Sequence, residues 1–274
     1  MALRTTELTD HPHLFNKIFL LYKREGFTAC ARKAASYALF KNRLAGKLWK
    51  PADKLRYKYR HYRNPTNFSD ADPYKFISVS PADIRYKFRL DDPDSDTGNL
   101  DWWDERNRVY DGPWDQQRVD FRAYHRTLYE CFEAHFLNGV PWSETAYIQN
   151  VLEQVEHGDP TWHTSTSPEE VYDRCEQLDQ VWDSITTDGY RRQSVVSDAL
   201  DWRKDYAEVT VSIARDGEFL QHGGKHRLIM ARLAGVDEIP VLVVVRHRQW
   251  QQLRDDIRHN DVTDYPFHPD LEDL

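Results

Sequence analysis

Cysteine is scarce in this chain. The three present, Cys30, Cys131 and Cys175, are odd in number and far apart. They form no C-x-x-C pair and no disulfide framework, which suits a reducing compartment and excludes a small disulfide-stapled scaffold. Long apolar runs are missing as well. Near the N-terminus the longest is residues 18–22, far short of the roughly 20 residues that span a bilayer. Arg4, Glu7 and Asp10 precede no apolar signal-peptide core. The expectation is a cytoplasmic protein, with peripheral attachment to a membrane left open by a basic arm. Metal-ligand spacing is also lacking. Twelve histidines make no H-E-x-x-H, and His157 and His163 flank a Gly-Asp-Pro turn as surface residues. Asp92, Asp94 and Asp96 alternate like a calcium loop but lack the glycine and glutamate that such a loop needs. They read as a solvated acidic loop, and no metal site is expected.

Lysine is scarce in a position-dependent way. Residues 1–66 hold 15 Lys/Arg against 4 Asp/Glu, a net +11, which leaves −19 for the rest of a chain whose formal charge is −8. Beyond residue 66 only Lys75, Lys87, Lys204 and Lys225 occur, while aspartate outnumbers glutamate 30 to 15. An acidic, lysine-poor surface of this kind stays soluble at high salt, so a halophilic source and an ordinary acidic cytosolic protein both fit. The mean hydropathy of −0.79 belongs to a very polar protein. Nine tryptophans among its 13% aromatics can still supply a core by area.

What is present divides the chain into a basic helical arm (1–66), a main domain (67–250) with a helical insertion at about 91–165, and an acidic, mobile tail (251–274). Helical spacing covers 13–24 and 28–48, with Pro51 closing the unit, and residues 53–64 alternate basic and aromatic side chains. The arm has three readings. It lies on an anionic membrane surface, follows a nucleic-acid backbone with Tyr57, Tyr59 and Tyr62 stacking on bases, or packs on the acidic body. Helices are expected over 115–138, over 144–156 with Ser143 at its cap, and over 167–187, where Ser167, Pro168 and Glu170 make a strong start and Gly189 a stop. Strands are expected near 76–79, 208–214, 218–221 and 239–245, and a charged helix over 248–258. The fold class is α+β, with a small mixed sheet.

The richest stretch is 208–247. Val209, Val211 and Ile213 alternate as a half-buried strand, Asp216-Gly217 turns, and residues 239–245 form a nearly continuous apolar run. Between them Gly223-Gly224-Lys225-His226-Arg227 runs straight into an apolar helix that stops at Gly235. Glycines at a helix start admit close backbone approach, and the free N–H groups there favour an anion. Lys225, His226 and Arg227 add cationic or donor groups, which makes this a phosphate-binding turn or a solvated basic one.

These residues resemble the ParB/sulfiredoxin-like superfamily, whose signature is a G-x-[HR]-R turn opening a helix. Residues 77–84, Ser184-Ile185 with Gly189, and Ile239-Pro240-Val241 resemble further phrases of that pattern, so the likeness covers roughly 75–90 and 170–250. It implies a ParB/sulfiredoxin-like core that binds a nucleotide (ATP or CTP class, with Mg²⁺) or a phosphorylated small molecule. Gly223, Gly224, Lys225, His226, Arg227 and Ser184 would hold it. Asp216 or Glu218 would serve as general base or metal ligand for phosphoryl transfer, with Asp216 equally a turn former. Lys225 stands at the place of sulfiredoxin's reactive cysteine, so sulfinic-acid repair is not expected. His226 replaces the second arginine of many ParB turns, and no helix-turn-helix signature follows for operator recognition. The alternative is a non-enzymatic ParB-like adaptor that binds DNA or an anionic membrane through residues 1–66. Whether the chain is catalytic, and its oligomeric state, stay open at this point.

Overall fold

The apolar run at 239–245 becomes the hub of a sheet because a strand that is apolar on both faces can be covered on both. The structure, a computed structural model, describes residues 43–88, 106–158, 165–192, 208–259, 262 and 264–274. Its helices are α1 (Arg43–Arg63), α2 (Phe121–Tyr124), α3 (Arg126–Asn138), α4 (Ala146–Glu156), α5 (Pro168–Asp188), α6 (Lys225–Leu233) and α7 (Arg248–His259). Its strands are β1 (Phe76–Val79), β2 (Tyr86–Phe88), β3 (Arg108–Tyr110), β4 (Arg118–Asp120), β5 (Thr210–Ile213), β6 (Phe219–Gly223) and β7 (Ile239–His247).

These described strands form one mixed sheet in the order β1-β7-β5-β6-β2-β4, and β3 pairs with the far end of β7. The fold is α+β. Strand β7 is antiparallel to β1 (Ile77 opposite Val241) and parallel to β5 (Val211 opposite Val243) and β3. Alternation, reset by an irregularity where Ser212 pairs with Val245 and Val244 is passed over, then sorts the side chains. Val211, Ile213, Val241 and Val243 join Phe132, Ile148, Val171 and Leu228 from α3 to α6 in the main core. Ala214, Leu220, Val244 and Val245 face Trp114 in a second, smaller cluster.

The four expected strands are present, and three more were not anticipated. Strands β2, β3 and β4 have three residues each, too few for a two-residue period to show. Strand β4 therefore occupies what was expected to be the start of a helix over 115–138. Helix α2 begins only at Phe121, where the Asp120 carboxylate accepts the Ala123 N–H at 2.8 Å. Likewise Ser143 is exposed inside a 3₁₀ turn, and Thr145 is the N-cap of α4. Its hydroxyl donates instead to the Trp142 carbonyl at 2.7 Å. Ser167 caps α5 as expected, accepting the Glu170 N–H.

Pro51 does not end the arm's helix but sits within α1. One lost backbone bond is outweighed where the helix buries Tyr57 to 1% exposure and sets Asp53 to accept the Tyr74 hydroxyl at 2.6 Å. The helix expected over 13–24, the part of the helix expected over 28–48 that precedes Arg43, the acidic loop with Asp92, Asp94 and Asp96, and Cys30 lie outside the described residues, while residues 43–48 open α1. The last residues, expected to be mobile, are docked. Asp270 is 2% exposed and accepts Arg246 Nε at 2.9 Å and Trp250 Nε1 at 3.0 Å, with the Arg254 guanidinium 3.3 Å away. Burial alone would raise its carboxyl, but the two guanidiniums outweigh that and hold it down at about 2.

Candidate functional site

Strand β6 runs without a loop into α6, and the junction is residues 223–227. Gly224 is the N-cap of α6 at φ +74°. A Cβ there would lie 2.7 Å from the Val209 Cα and 2.8 Å from the Glu208 carbonyl, and at Gly223 one would lie 2.7 Å from Thr210 Oγ1. The two glycines thus first serve to seat the helix start against β5. Their small size suggests room for a ligand, yet the backbone at Glu208 and Val209 and the Thr210 hydroxyl fill it.

The open space is on the other side. A cleft of about 980 Å³ opens where β6 passes into α6, bounded by α5 and by the end of α2. Strand β2 is parallel to β6 with Lys87 opposite Gln221, so Lys87 reaches the same strand end as the glycine turn. Its ammonium lies 3.3 Å from Gln221 Oε1 and 5.4 Å from the Tyr124 ring centroid. The α5 wall presents Arg174, Gln177, Val181 and Ser184, spaced three, four and three residues apart as one helical stripe. Two of the four lysines beyond residue 66, Lys87 and Lys225, therefore meet in one cleft. Among its described lining residues there is no aspartate or glutamate.

Burial sets the electrostatics. It lowers the pKa of Lys225 and of Arg174, and no neighbouring carboxylate counteracts it for either. Among the described residues neither forms an ion pair. His125 and His222 are both pushed down to about 4, chiefly by burial, then by Lys225 and Lys87 for the first and by Lys87 for the second. At neutral pH both imidazoles are uncharged and can donate or accept. Three residues that line this cleft each carry a buried nitrogen without a hydrogen-bond partner: His125 Nε2, Arg174 Nε and Arg227 Nε. It is a cationic, donor-rich cavity in an acidic protein.

The expected site residues fare unequally. Gly223, Gly224, Lys225, His226, Arg227 and Ser184 all line the cleft. Arg227, expected to neutralise phosphate, is already engaged. Its Nη1 is 3.4 Å from Glu208 Oε1, its Nη2 donates to the Arg191 carbonyl, and its guanidinium lies 4.5 Å from the Tyr190 ring centroid. His226 stacks on Phe132 at 5.7 Å and is 8% exposed, so packing claims most of its ring. Asp216 and Glu218 do not join the cleft. Asp216 pairs with Arg118 at 2.9 Å and accepts the Glu218 N–H, as a turn former does, while Glu218 pairs with Arg85 at 2.7 Å. Cys131 and Cys175 are buried, their thiols pushed up to about 11 and 12 by burial. Neither is a reactive thiol at neutral pH.

Sequence reading missed Lys87, Arg174, His125 and His222. The scarcity of lysine was a usable signal for Lys87. An arginine on an amphipathic helix carries none, since it reads as a solvated face. No protein-family model matches the chain, and neither curated proteins nor solved structures gave a match.

Proposed function

We propose that this protein binds a phosphate-bearing small molecule, nucleotide in class, in the cleft beside residues 223–227. The observation that carries the reading is Lys225, a desolvated ammonium at a helix start, without a carboxylate partner among the described residues. A half-buried cation with no carboxylate beside it is costly unless a ligand supplies the counter-charge. Lys225 and Lys87 would neutralise phosphoryl charge, the first N–H groups of α6 would add donors, and His125 and His222 would hydrogen-bond as neutral rings. The cleft volume of about 980 Å³ accommodates a nucleotide, being at the upper end of the roughly 300–1,000 Å³ of small-molecule sites. The likeness of residues 223–227 to the ParB/sulfiredoxin-like turn supports the same ligand class.

Magnesium fits the described lining poorly, because a hard cation wants carboxylate or carbonyl oxygens and the polar side chains here are cationic, amide, hydroxyl or imidazole. With Asp216 and Glu218 paired elsewhere, the geometry supports binding rather than phosphoryl transfer. A thermal-shift screen over ATP, CTP, their diphosphates and inorganic phosphate, with and without Mg²⁺, tests this. Binding should stabilise by about 2.7 kcal/mol at 100 times Kd, and Lys225→Gln should abolish the shift. A full response in Lys225→Gln would overturn the reading.

The basic arm supports a second reading on its own observation. Leu55, Tyr59 and Tyr62 form an exposed stripe on α1, at 69%, 61% and 81% exposure, beside Lys58 and Arg63. We infer an anionic surface as its partner, DNA or a membrane. No described helix is long and apolar enough to cross a bilayer. Binding lost steeply with salt in a mobility shift identifies DNA, and salt-resistant flotation with anionic vesicles identifies lipid.

A further inference from the structure

Lys225 is not the cleft's only desolvated cation. Arg174 stands on the α5 wall, on a helix that packs against α6 but enters the cleft from a different side. Its Nη1 donates to Gln177 Oε1 at 2.8 Å, which fixes the guanidinium plane, while its Nε is buried without a partner. Among the other described guanidiniums, Arg215 is matched to Asp115, Arg246 to Asp270 and Arg227 to Glu208, while the half-buried Arg232 is held by the Pro81 and Ile84 carbonyls. Arg174 has no such match among the described residues. A guanidinium offers two parallel N–H groups suited to an oxyanion.

We propose that Arg174 is a specificity-determining residue that selects a ligand with a second oxyanion group, beyond the phosphate held at Lys225. The inference rests on the phosphate-site reading above and narrows it. Orthophosphate brings one oxyanion group to the cleft. A diphosphate, or a phosphorylated carboxylic acid, brings two, so that each cation can have its own counter-charge. The α5 stripe explains the arrangement: the spacing that puts Arg174 in the cleft also puts Gln177 beside it to orient it and Ser184 further along the same face.

The test is isothermal titration of the full chain with three probes: orthophosphate, inorganic diphosphate and phosphoglycerate. The wild-type protein should bind one or both of the two-anion probes at least about tenfold tighter than orthophosphate, the ratio a single charge-assisted pair can supply. In Arg174→Gln that ratio should fall towards one while orthophosphate affinity stays the same. Arg174→Lys, which keeps the charge but loses the fork, should fall between. Diphosphate against phosphoglycerate identifies which second oxyanion fits. If the ratio survives in Arg174→Gln, or if wild type binds all three probes equally, this inference is wrong while the phosphate site stands. If none of the probes binds, both are wrong.

Discussion

Arg227 and Glu208 face each other across 3.4 Å, the carboxylate side chain fully buried and the guanidinium nearly so. The pair ties the first turn of α6 to the residue that leads into β5, and the Tyr190 hydroxyl completes it by donating to Glu208 Oε2 at 3.1 Å. The arginine that looks most like a phosphate ligand in the sequence is thus a structural cation. Removing one member of such a pair strands the other, at roughly 3–5 kcal/mol. Arg227→Ala should therefore lower the denaturant midpoint clearly, where a pure ligand role would leave it unchanged.

Gly224 and Gly223 should respond differently to alanine. At Gly224 the new Cβ would meet backbone, which cannot rotate away, and the left-handed φ adds about 1–2 kcal/mol. At Gly223 it would meet the Thr210 hydroxyl, a side chain that can turn. Chemical unfolding should show Gly224→Ala as much the weaker protein. Equal midpoints would mean that the helix start is not pressed against β5 as described.

Lys225 carries a stability cost from its desolvation, which an anion bound beside it would offset. Lys225→Met removes a desolvated charge and keeps most of the apolar stem, so the ligand-free melting temperature should stay level or rise. A fall of several degrees would show that the ammonium has an internal partner and is not waiting for an anion.

Acid should unfold the protein in two stages. His125 and His222 titrate near 4 in the folded chain against 6.5 ordinarily. Below pH 6.5 the unfolded chain takes up protons that the folded one refuses, so stability is intact above that pH and declines towards pH 4. Asp270 has the opposite displacement, from 3.8 down to about 2. Its contribution is present above pH 3.8 and disappears as the pH falls through 2. Melting temperature measured from pH 8 to 3 should fall first between 6.5 and 4, and His222→Asn should flatten that limb. An unchanged slope in the variant would assign the acid sensitivity to other groups.

Truncation gives a further check. A chain beginning at Asp70 lacks Tyr57 and Asp53, which are buried to 1% and 3% exposure, and leaves the Tyr74 hydroxyl without its acceptor. It should melt cooperatively but markedly lower than the full chain, whatever its ligand response. Identical melting would make α1 an appendage.

The sequence alone determined the elements that repeat long enough to show a period. Residues 239–245 are apolar on both faces and become the central strand, Ser167-Pro168 starts α5, and 208–223 forms the paired strands that lead to α6. It also located the glycine-rich turn that opens α6, because glycines followed by basic residues at a helix start are a local signal. Everything that required two distant segments to meet was decided by tertiary structure. Lys87 reaches the turn only because β2 pairs in parallel with β6, and Arg174 only because α5 packs beside α6. Glu208 claims Arg227, and Arg118 and Arg85 claim Asp216 and Glu218. Charge partners are chosen by proximity in space, which a one-dimensional pattern does not encode. Residue type and spacing name the groups able to bind an anion, whereas burial and pairing decide which of them are still in want of one.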